Sequence, residues 1–334
     1  MKAIVRGASG SPELRDVDVP VPTENEVLVR VHASSLNEYD LFILGPPPLP
    51  FRVVGSLLRT VSSSVPPRVR IGGSDVAGSV VAVGSRVERF RPGDAVFGDL
   101  SSFGFGGFGA FAEYVCAPES SLLPKPAHMA FKQAAALPQA GALAMQGLLA
   151  GGPLQPGQRI LINGAGGGVG TIGVQVAKLQ GVEVTGVDRA LKLEMMRSIG
   201  FDHVIDYQQE DFTKSGACYH LILDTKTNRS PFAYLRVLTA GGTYVTVGGE
   251  TTTLFQFLIF GGLIRLLTGK KVVVIKLKQN AHLADLKEFF EAGHLAPVID
   301  GPYKLSDWQN AFRHFSTANH QGKVILTVGN GEGS

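Results

Sequence analysis

The run Ile162-Asn-Gly-Ala-Gly-Gly-Gly-Val-Gly-Thr-Ile-Gly173 places six glycines in twelve residues. Each glycine weakens a regular helix or strand, so their clustering needs a reason. The flanks supply one. Arg159-Ile-Leu-Ile162 reads as a strand, Val169 to Leu179 has helical spacing, and Glu183-Val-Thr-Gly-Val187 reads as a second strand ending in Asp188. Gly164, Gly167 and Gly170 therefore form GxxGxxG between a strand and a helix. The amino terminus of a helix carries partial positive charge and free N–H groups. Glycines let the backbone approach a pyrophosphate held there, and the third lets helix pack on strand. A bare glycine repeat would be only a turn. Its agreement with strand, helix and trailing acid predicts a dinucleotide-binding loop.

The surroundings extend that unit. Val204-Ile205, Leu221-Ile-Leu223 and Thr243-Tyr-Val-Thr-Val247 read as further short strands, and Leu191 to Ile199 as a helix. Alternating strands and helices imply a doubly wound parallel sheet, an α/β Rossmann arrangement. Val272-Val-Val-Ile-Lys-Leu277 is expected to close it at an edge. The first third differs. Glu26-Val-Leu-Val-Arg-Val-His32 alternates with period two, Gly78 to Gly84 is another short apolar run, and Arg91-Pro-Gly-Asp94 is a turn. That pattern predicts an antiparallel β-rich domain. The tail from about residue 282 reads helix, strand, helix, strand.

The length of 334 residues suits two domains. A net charge of +3, nowhere concentrated, carries no nucleic-acid footprint. Cys116 and Cys218 are the only cysteines, so neither a disulfide framework nor a CxxC knuckle is expected. MKAIVRGASG lacks the apolar run of a signal peptide. The apolar segment Thr253–Leu267 is too short to span a bilayer, which takes about 20 residues, and contains Arg265. A cytoplasmic protein is the expectation.

Gly157-Gln-Arg-Ile-Leu-Ile-Asn-Gly-Ala-Gly-Gly-Gly-Val-Gly-Thr-Ile-Gly-Val-Gln-Val-Ala-Lys178 resembles the signature of the zinc-free quinone oxidoreductase/zeta-crystallin branch of the medium-chain dehydrogenase/reductases. Gly73-Ser-Asp-Val-Ala-Gly78, Phe90 to Gly98, Gly109 to Val115, Ala134 to Pro138, Ser198 to Tyr207 and Gly322-Lys-Val-Ile-Leu326 are similar too. The resemblance implies a GroES-like catalytic domain from residues 1–123 plus 279–334. A Rossmann domain, 124–278, would be inserted in it, with the active site in the cleft.

The departures are informative. Zinc enzymes of that superfamily would carry their first ligand within Ser34-Ser-Leu-Asn-Glu-Tyr-Asp40, which has no cysteine, and a histidine where Ser74 stands. No metal is expected, because zinc catalysis takes about three nitrogen, sulfur or carboxylate donors. The resemblance places Asn37, Tyr39 and Asp40 near the reacting centre: Asn37 to position a carbonyl or carboxamide, Tyr39 to donate a hydrogen bond or proton. The alternatives are that Asn37 and Asp40 cap a helix start and that Tyr39 only packs. Leu143 stands where many relatives carry threonine near the cofactor.

The predicted cofactor set comprises Gly164, Gly166, Gly167, Gly168, Val169 and Gly170 of the loop. Asp188, Arg189, Lys192 and Tyr207 follow at the adenosine end. Asp224, Val247, Gly248 and Gly249 complete it after two later strands. Asp188 favours ribose hydroxyls and hence NAD. Arg189 and Lys192 stand beside it, and Lys192 and Tyr207 match a lysine and a tyrosine that hold a 2′-phosphate in relatives, so NADP(H) is favoured narrowly over NAD(H). Lys192 as a solvated helix residue is the alternative. The expected activity is NAD(P)H-dependent reduction of a small-molecule acceptor, a quinone or activated enone. Competing readings are a zinc-free alcohol or aldehyde dehydrogenase and a nucleotide-binding sensor or structural protein without turnover. Acceptor choice would fall to loops such as Leu44–Pro50 and to the Thr253–Leu267 segment. A homodimer is expected through the sheet edge at 272–277.

Overall fold

The computed structural model describes residues 1–7, 10–44, 71–101, 109–249 and 251–329. Gly45–Pro50 of the proposed acceptor loop lie outside the described residues. The strands, in chain order, begin with β1 (Lys2–Arg6), β2 (Pro12–Asp16), β3 (Glu26–Ser35), β4 (Asp75–Val83), β5 (Ala95–Asp99), β6 (Tyr114–Pro118) and β7 (Leu123–Pro124). They continue with β8 (Arg159–Asn163), β9 (Glu183–Asp188), β10 (His203–Asp206), β11 (Tyr219–Asp224), β12 (Leu238–Thr246), β13 (Lys271–Val274), β14 (Ile299–Lys304) and β15 (Lys323–Thr327). The helices are α1 (Glu38–Leu44), α2 (Phe131–Ala136), α3 (Pro138–Leu149), α4 (Gly168–Lys178), α5 (Leu193–Ser198), α6 (Pro231–Arg236), α7 (Thr251–Thr268), α8 (Leu283–Glu291) and α9 (Trp308–Ser316).

The chain divides into two compact units: Met1–Ala135 with Gly301–Arg313 and Ile325–Ser334, and Ala136–Asp300 with His314–Val324. Residues 279–300 and 314–324 thus group with the central unit, where the sequence had suggested the terminal one, and 124–135 do the reverse. Packing explains it. The Leu286 side chain of α8 lies where a β-carbon on Gly141 of α3 would stand. Gly322 N donates to Gly166 O at 2.8 Å, tying the tail to the glycine loop.

The terminal unit is built on an antiparallel sheet of order β14-β15-β3-β4-β5-β7, with β6 pairing β3, beside a β1–β2 hairpin. Along β3 buried and less buried residues alternate until Ala33, after which Ala33, Ser34 and Ser35 are all buried. Small side chains let that end of the strand be covered on both faces, and the chain enters α1 already inside the protein.

The central unit carries a parallel sheet of order β10-β9-β8-β11-β12-β13. Starting at β8, the chain moves outward through β9 and β10, then crosses to β11, β12 and β13. The order reverses between β8 and β11, where open α/β sheets bind ligands at the carboxyl ends of their strands. Tyr234, Tyr244 and Phe257 stack as the core under one face, with Tyr244 4.5 Å from each of the others by ring centroid. The edge strand β13 ends at Val274, three residues before the expected Leu277. Ile275 N still donates to Thr246 O at 2.9 Å, after which the ladder stops. Among the described residues no helix is long and apolar enough to cross a membrane.

Candidate functional site

In the central unit, β8 delivers the chain to Gly164, whose φ of +83° suits only glycine. Gly164 N and Ala165 N both donate to Val187 O, and Gly166 N donates to Asp188 Oδ2 at 2.8 Å. The loop is therefore pinned to the end of β9. At Gly170 a β-carbon would sit 2.3 Å from Ala165 O, so the first turn of α4 rests directly on the loop. Gly167 precedes that helix without any side-chain cap, leaving first-turn N–H groups of Gly168, half-buried Val169 and Gly170 for a ligand. A β-carbon at Gly167 would meet nothing nearer than 3.5 Å, and one at Gly248 nothing within 4 Å. These two positions present open backbone, as approach by a bound diphosphate requires.

Asp188 is buried and fully engaged. Its carboxylate accepts from Gly166 N and from Arg189 N at 2.9 Å, and pairs with Lys192 Nζ at 3.5 Å. The reading of Lys192 as a solvated helix residue does not hold. The helix expected over 191–199 begins as a 3₁₀ turn, Ala190–Lys192, which turns Lys192 inward to 3% exposure. Burial pushes the Lys192 ammonium pKa down. Arg189 Nε donates to Tyr207 Oη at 2.9 Å, and its Nη1 to Asn319 Oδ1 at 2.7 Å. Asp188, Arg189, Lys192 and Tyr207 thus form one constellation.

Asp224 has a different use from the one expected. It is fully buried, and its carboxylate accepts from Asn163 Nδ2, Lys226 N, Thr227 N and Tyr244 Oη. With four donors it shapes the turn after β11 rather than presenting charge to a ligand. Thr227 in that turn has φ +48°, a strained position for a β-branched residue. Its hydroxyl donates to Gly248 O at 2.5 Å. Val247 N donates to Asp224 O, and Gly249, with φ +119°, packs so close to Lys226 O that a β-carbon would fall 2.2 Å from it. Leu143, in α3, is half-buried.

In the terminal unit, Asn37 and Asp40 staple the start of α1. Asp40 Oδ2 accepts from Asn37 N at 2.9 Å, the back-bond of a capping box, and Asp40 is fully buried. Its expected place at a reacting centre gives way to this structural role. Asn37 Nδ2 donates to Ser74 Oγ at 3.0 Å and to Asp75 Oδ2 at 2.9 Å. Ser35 Oγ also donates to Asp75 Oδ2, at 2.5 Å. Asp99, opposite Asp75 across β4 and β5, accepts from Ser101 N and Oγ. Burial, then the charge of Asp75, pushes Asp99 up to about 7. Tyr39 is 37% exposed. It is the one polar side chain of the three that reaches the surface.

Sequence reasoning passed over Asp75 and Asp99, whose pairing is a matter of strand register. It also passed over Lys226, Lys323 and His320 beside the glycine loop. Lys226 follows Asp224 by two residues and Lys323 follows Gly322 directly, which in hindsight are their only local signals.

The donor chemistry does not fit a catalytic zinc. The Ser74 hydroxyl, which stands where a zinc enzyme of that superfamily would carry a histidine, already accepts from the Asn37 amide. Among the described residues no group of three or more His, Cys, Asp or Glu is arranged to hold a metal ion. The loop, by contrast, fits a dinucleotide: open backbone over a helix amino terminus, with cations at its rim.

Family models match over two segments: an alcohol dehydrogenase GroES-like domain over residues 23–127 and a zinc-binding dehydrogenase domain over residues 199–326. The chain is 31% identical over 318 residues to a 2-methylene-furan-3-one reductase of Solanum lycopersicum, covering 93% of this chain and 74% of that one. It is 31% identical over 337 residues to a chloroplastic NADPH-dependent alkenal/one oxidoreductase of Arabidopsis thaliana, covering 98% and 79%. The quinone oxidoreductase structure from Coxiella burnetii superposes with a TM-score of 0.79 at 25% identity, covering 98% of both chains.

Proposed function

The chain belongs to the medium-chain dehydrogenase/reductase superfamily, in its quinone oxidoreductase branch, and from that membership we propose that it is an NAD(P)H-dependent reductase of quinones or activated enones that works without zinc. The observation that carries the reading is the glycine loop: backbone open at Gly167 and Gly248, an uncapped helix start, and a cationic rim. A bound nicotinamide cofactor would supply the hydride. The loop backbone would hold its pyrophosphate, and Tyr39, the exposed phenol beside Asn37, would donate a proton to oxyanion or enolate charge developing on the acceptor. Asn37 has its amide nitrogen committed to Ser74 and Asp75, so its part is to hold that end of the terminal unit in one arrangement.

For the cofactor, NADP(H) is the preferred reading. The Asp188 carboxylate is offset by Lys192 and spent on loop N–H groups, which removes much of the repulsion a 2′-phosphate would meet. Arg189 and Tyr207 stand bonded to each other alongside. Cytoplasmic residence is part of the proposal and is checked by cell fractionation.

The test is oxidation of NADPH and NADH against quinones, enones and simple aldehydes, before and after exhaustive chelation. Turnover of quinones or enones, unchanged by chelation, is expected. Cofactor binding without turnover of any acceptor would favour a sensor. Stoichiometric zinc lost together with activity would overturn the zinc-free reading.

A further inference from the structure

In the turn after β11, Thr227 is fully buried and held at φ +48°. Glycine adopts that conformation freely, and a β-branched residue does not. The side chain shows what threonine adds there. Thr227 Oγ1 donates to Gly248 O at 2.5 Å, in the turn after β12, and lies 2.6 Å from Thr246 Oγ1. With the Thr227 proton on Gly248 O, Thr246 is the donor between the two hydroxyls, and its oxygen accepts from Gly248 N at 3.3 Å. The two hydroxyls thus engage both backbone polar groups of Gly248, each proton being used once. We propose that Thr227 is a positioning residue for hydride transfer: it clasps the turn after β12, so that the Gly248 backbone forms a fixed floor for the nicotinamide half of the cofactor. This rests on the reductase reading above.

The clasp is anchored on both sides. Thr227 N donates to Asp224 Oδ1 at 2.9 Å, and that carboxylate is itself held by Asn163 Nδ2 and Tyr244 Oη. Gly249, at φ +119°, lies so close that a β-carbon on it would fall 2.7 Å from Thr227 Cβ. Gly248 differs from its neighbour. A β-carbon there would meet nothing within 4 Å. A residue gripped through its own N–H and C=O, with open space where a side chain would stand, is suited to carry a flat ring.

Strand order places that open face. The sheet runs β10-β9-β8-β11-β12-β13. In this order a dinucleotide lies across the carboxyl ends of the strands, one nucleotide half on each side of the reversal between β8 and β11. Asp188, the acid on the ribose side, ends β9. The nicotinamide half therefore falls to β11 and β12, whose last turns are the two that Thr227 joins. Beyond Asp224 and Thr246, opposite each other in register, one ladder bond remains, Val247 N to Asp224 O at 3.0 Å. From there the Thr227 hydroxyl takes over. The glycine loop holds the cofactor at a separate place, so a loosened clasp should slow hydride transfer more than it weakens binding.

Thr227→Gly and Thr227→Ser test this. Glycine suits the backbone conformation but lacks the hydroxyl, and serine keeps it. In the cofactor-free protein, Thr227→Gly should speed hydrogen exchange at the Gly248 amide by about tenfold or more. Single-turnover oxidation of bound NADPH by a quinone should slow by a similar factor, while the NADPH dissociation constant stays within about threefold of the parent's. Thr227→Ser should restore both exchange and rate. If Thr227→Gly does not fold, Thr246→Val, which removes the second hydroxyl from an extended strand, decides by the same readouts. Exchange and rate both within about twofold of the parent in a folded variant lacking the hydroxyl would overturn the clasp. So would a Thr227→Ser protein as slow as the glycine variant. A parent protein that binds NADPH but reduces no quinone or enone would instead defeat the reductase reading, and the role in hydride transfer with it.

Discussion

Two residues deep in the terminal unit set a pH dependence. Asp75 and Asp99 face each other across β4 and β5, both fully buried. Hydrogen bonds from Ser101 favour ionised Asp99, but burial and the neighbouring carboxylate outweigh them and push its pKa from 3.8 to about 7. The folded protein therefore binds that proton more tightly than the unfolded chain does. Between about pH 4 and 7 the folded state holds a proton that the unfolded state has lost, so stability falls as pH rises through that window. Asp99→Asn imitates the protonated acid and can keep both bonds to Ser101. Its melting temperature should approach the parent's near about pH 4 and exceed it near about pH 8, by an effect on the order of a few kcal/mol. Parallel melting curves at the two pH values would show that Asp99 ionises without cost. The glycines make a second contrast. An alanine at 170 would drive its β-carbon into the backbone of Ala165 and should destabilise the fold by roughly 1–3 kcal/mol. At Gly167 the same change meets no protein atom inside 3.5 Å, so the melting temperature should hold while cofactor affinity drops. Unchanged affinity in a folded Gly167→Ala protein would place the pyrophosphate elsewhere.

At the scale of elements, the turn between β9 and α5 is where the proposed preference for NADP(H) is to be tested. Because Ala190–Lys192 winds as a 3₁₀ turn, Lys192 points into the loop beside Asp188. Lys192→Ala should weaken NADPH by roughly tenfold while changing NADH little, since one charge-assisted contact is worth about 1.5 kcal/mol at the lower end. Equal weakening of both cofactors, measured by equilibrium binding, would refute a 2′-phosphate role. Asp188→Ser should shift preference toward NADPH. It should also lower the affinity for both cofactors, because Gly166 N loses its carboxylate acceptor and Lys192 its counter-charge. The strand–loop–helix unit from Arg159 to Lys178 was legible in sequence because it is contiguous: each part signals within a few residues of the next. So was Asp188. The helices α2 and α3 were not. Phe131–Leu149 is nearly apolar all round, most of α3 is buried, and no polar face marks a period. The Asp75–Asp99 pair and the lysines at 226 and 323 were hidden for another reason. Strand register and chain crossover bring them to their places, and neither is written locally.

For the whole molecule, a homodimer is the expectation, and an open sheet edge is where it would form. β13 ends the parallel sheet, and among the described residues nothing pairs with its outer side. Natural edges are commonly blunted with lysine, and Lys270 and Lys271 stand at its start. Yet Lys270 Nζ turns back to donate to Leu235 O at 2.6 Å, so one of those charges is spent inside the fold. The adjoining helix α7 buries Phe257 and Ile264 but leaves Leu263, Leu266 and Leu267 53%, 81% and 73% exposed. Apolar side chains left in water beside an open strand edge favour a second copy, which would continue the sheet and cover the leucines together. Sedimentation at micromolar concentration should then give the mass of two chains rather than the 35.4 kDa of one. The double substitution Leu266→Glu with Leu267→Glu touches only exposed positions. It should leave the protein folded but raise the dimer dissociation constant by about tenfold or more. A parent protein that sediments as a single chain, or a double variant that stays fully dimeric, would rule this edge out as the interface.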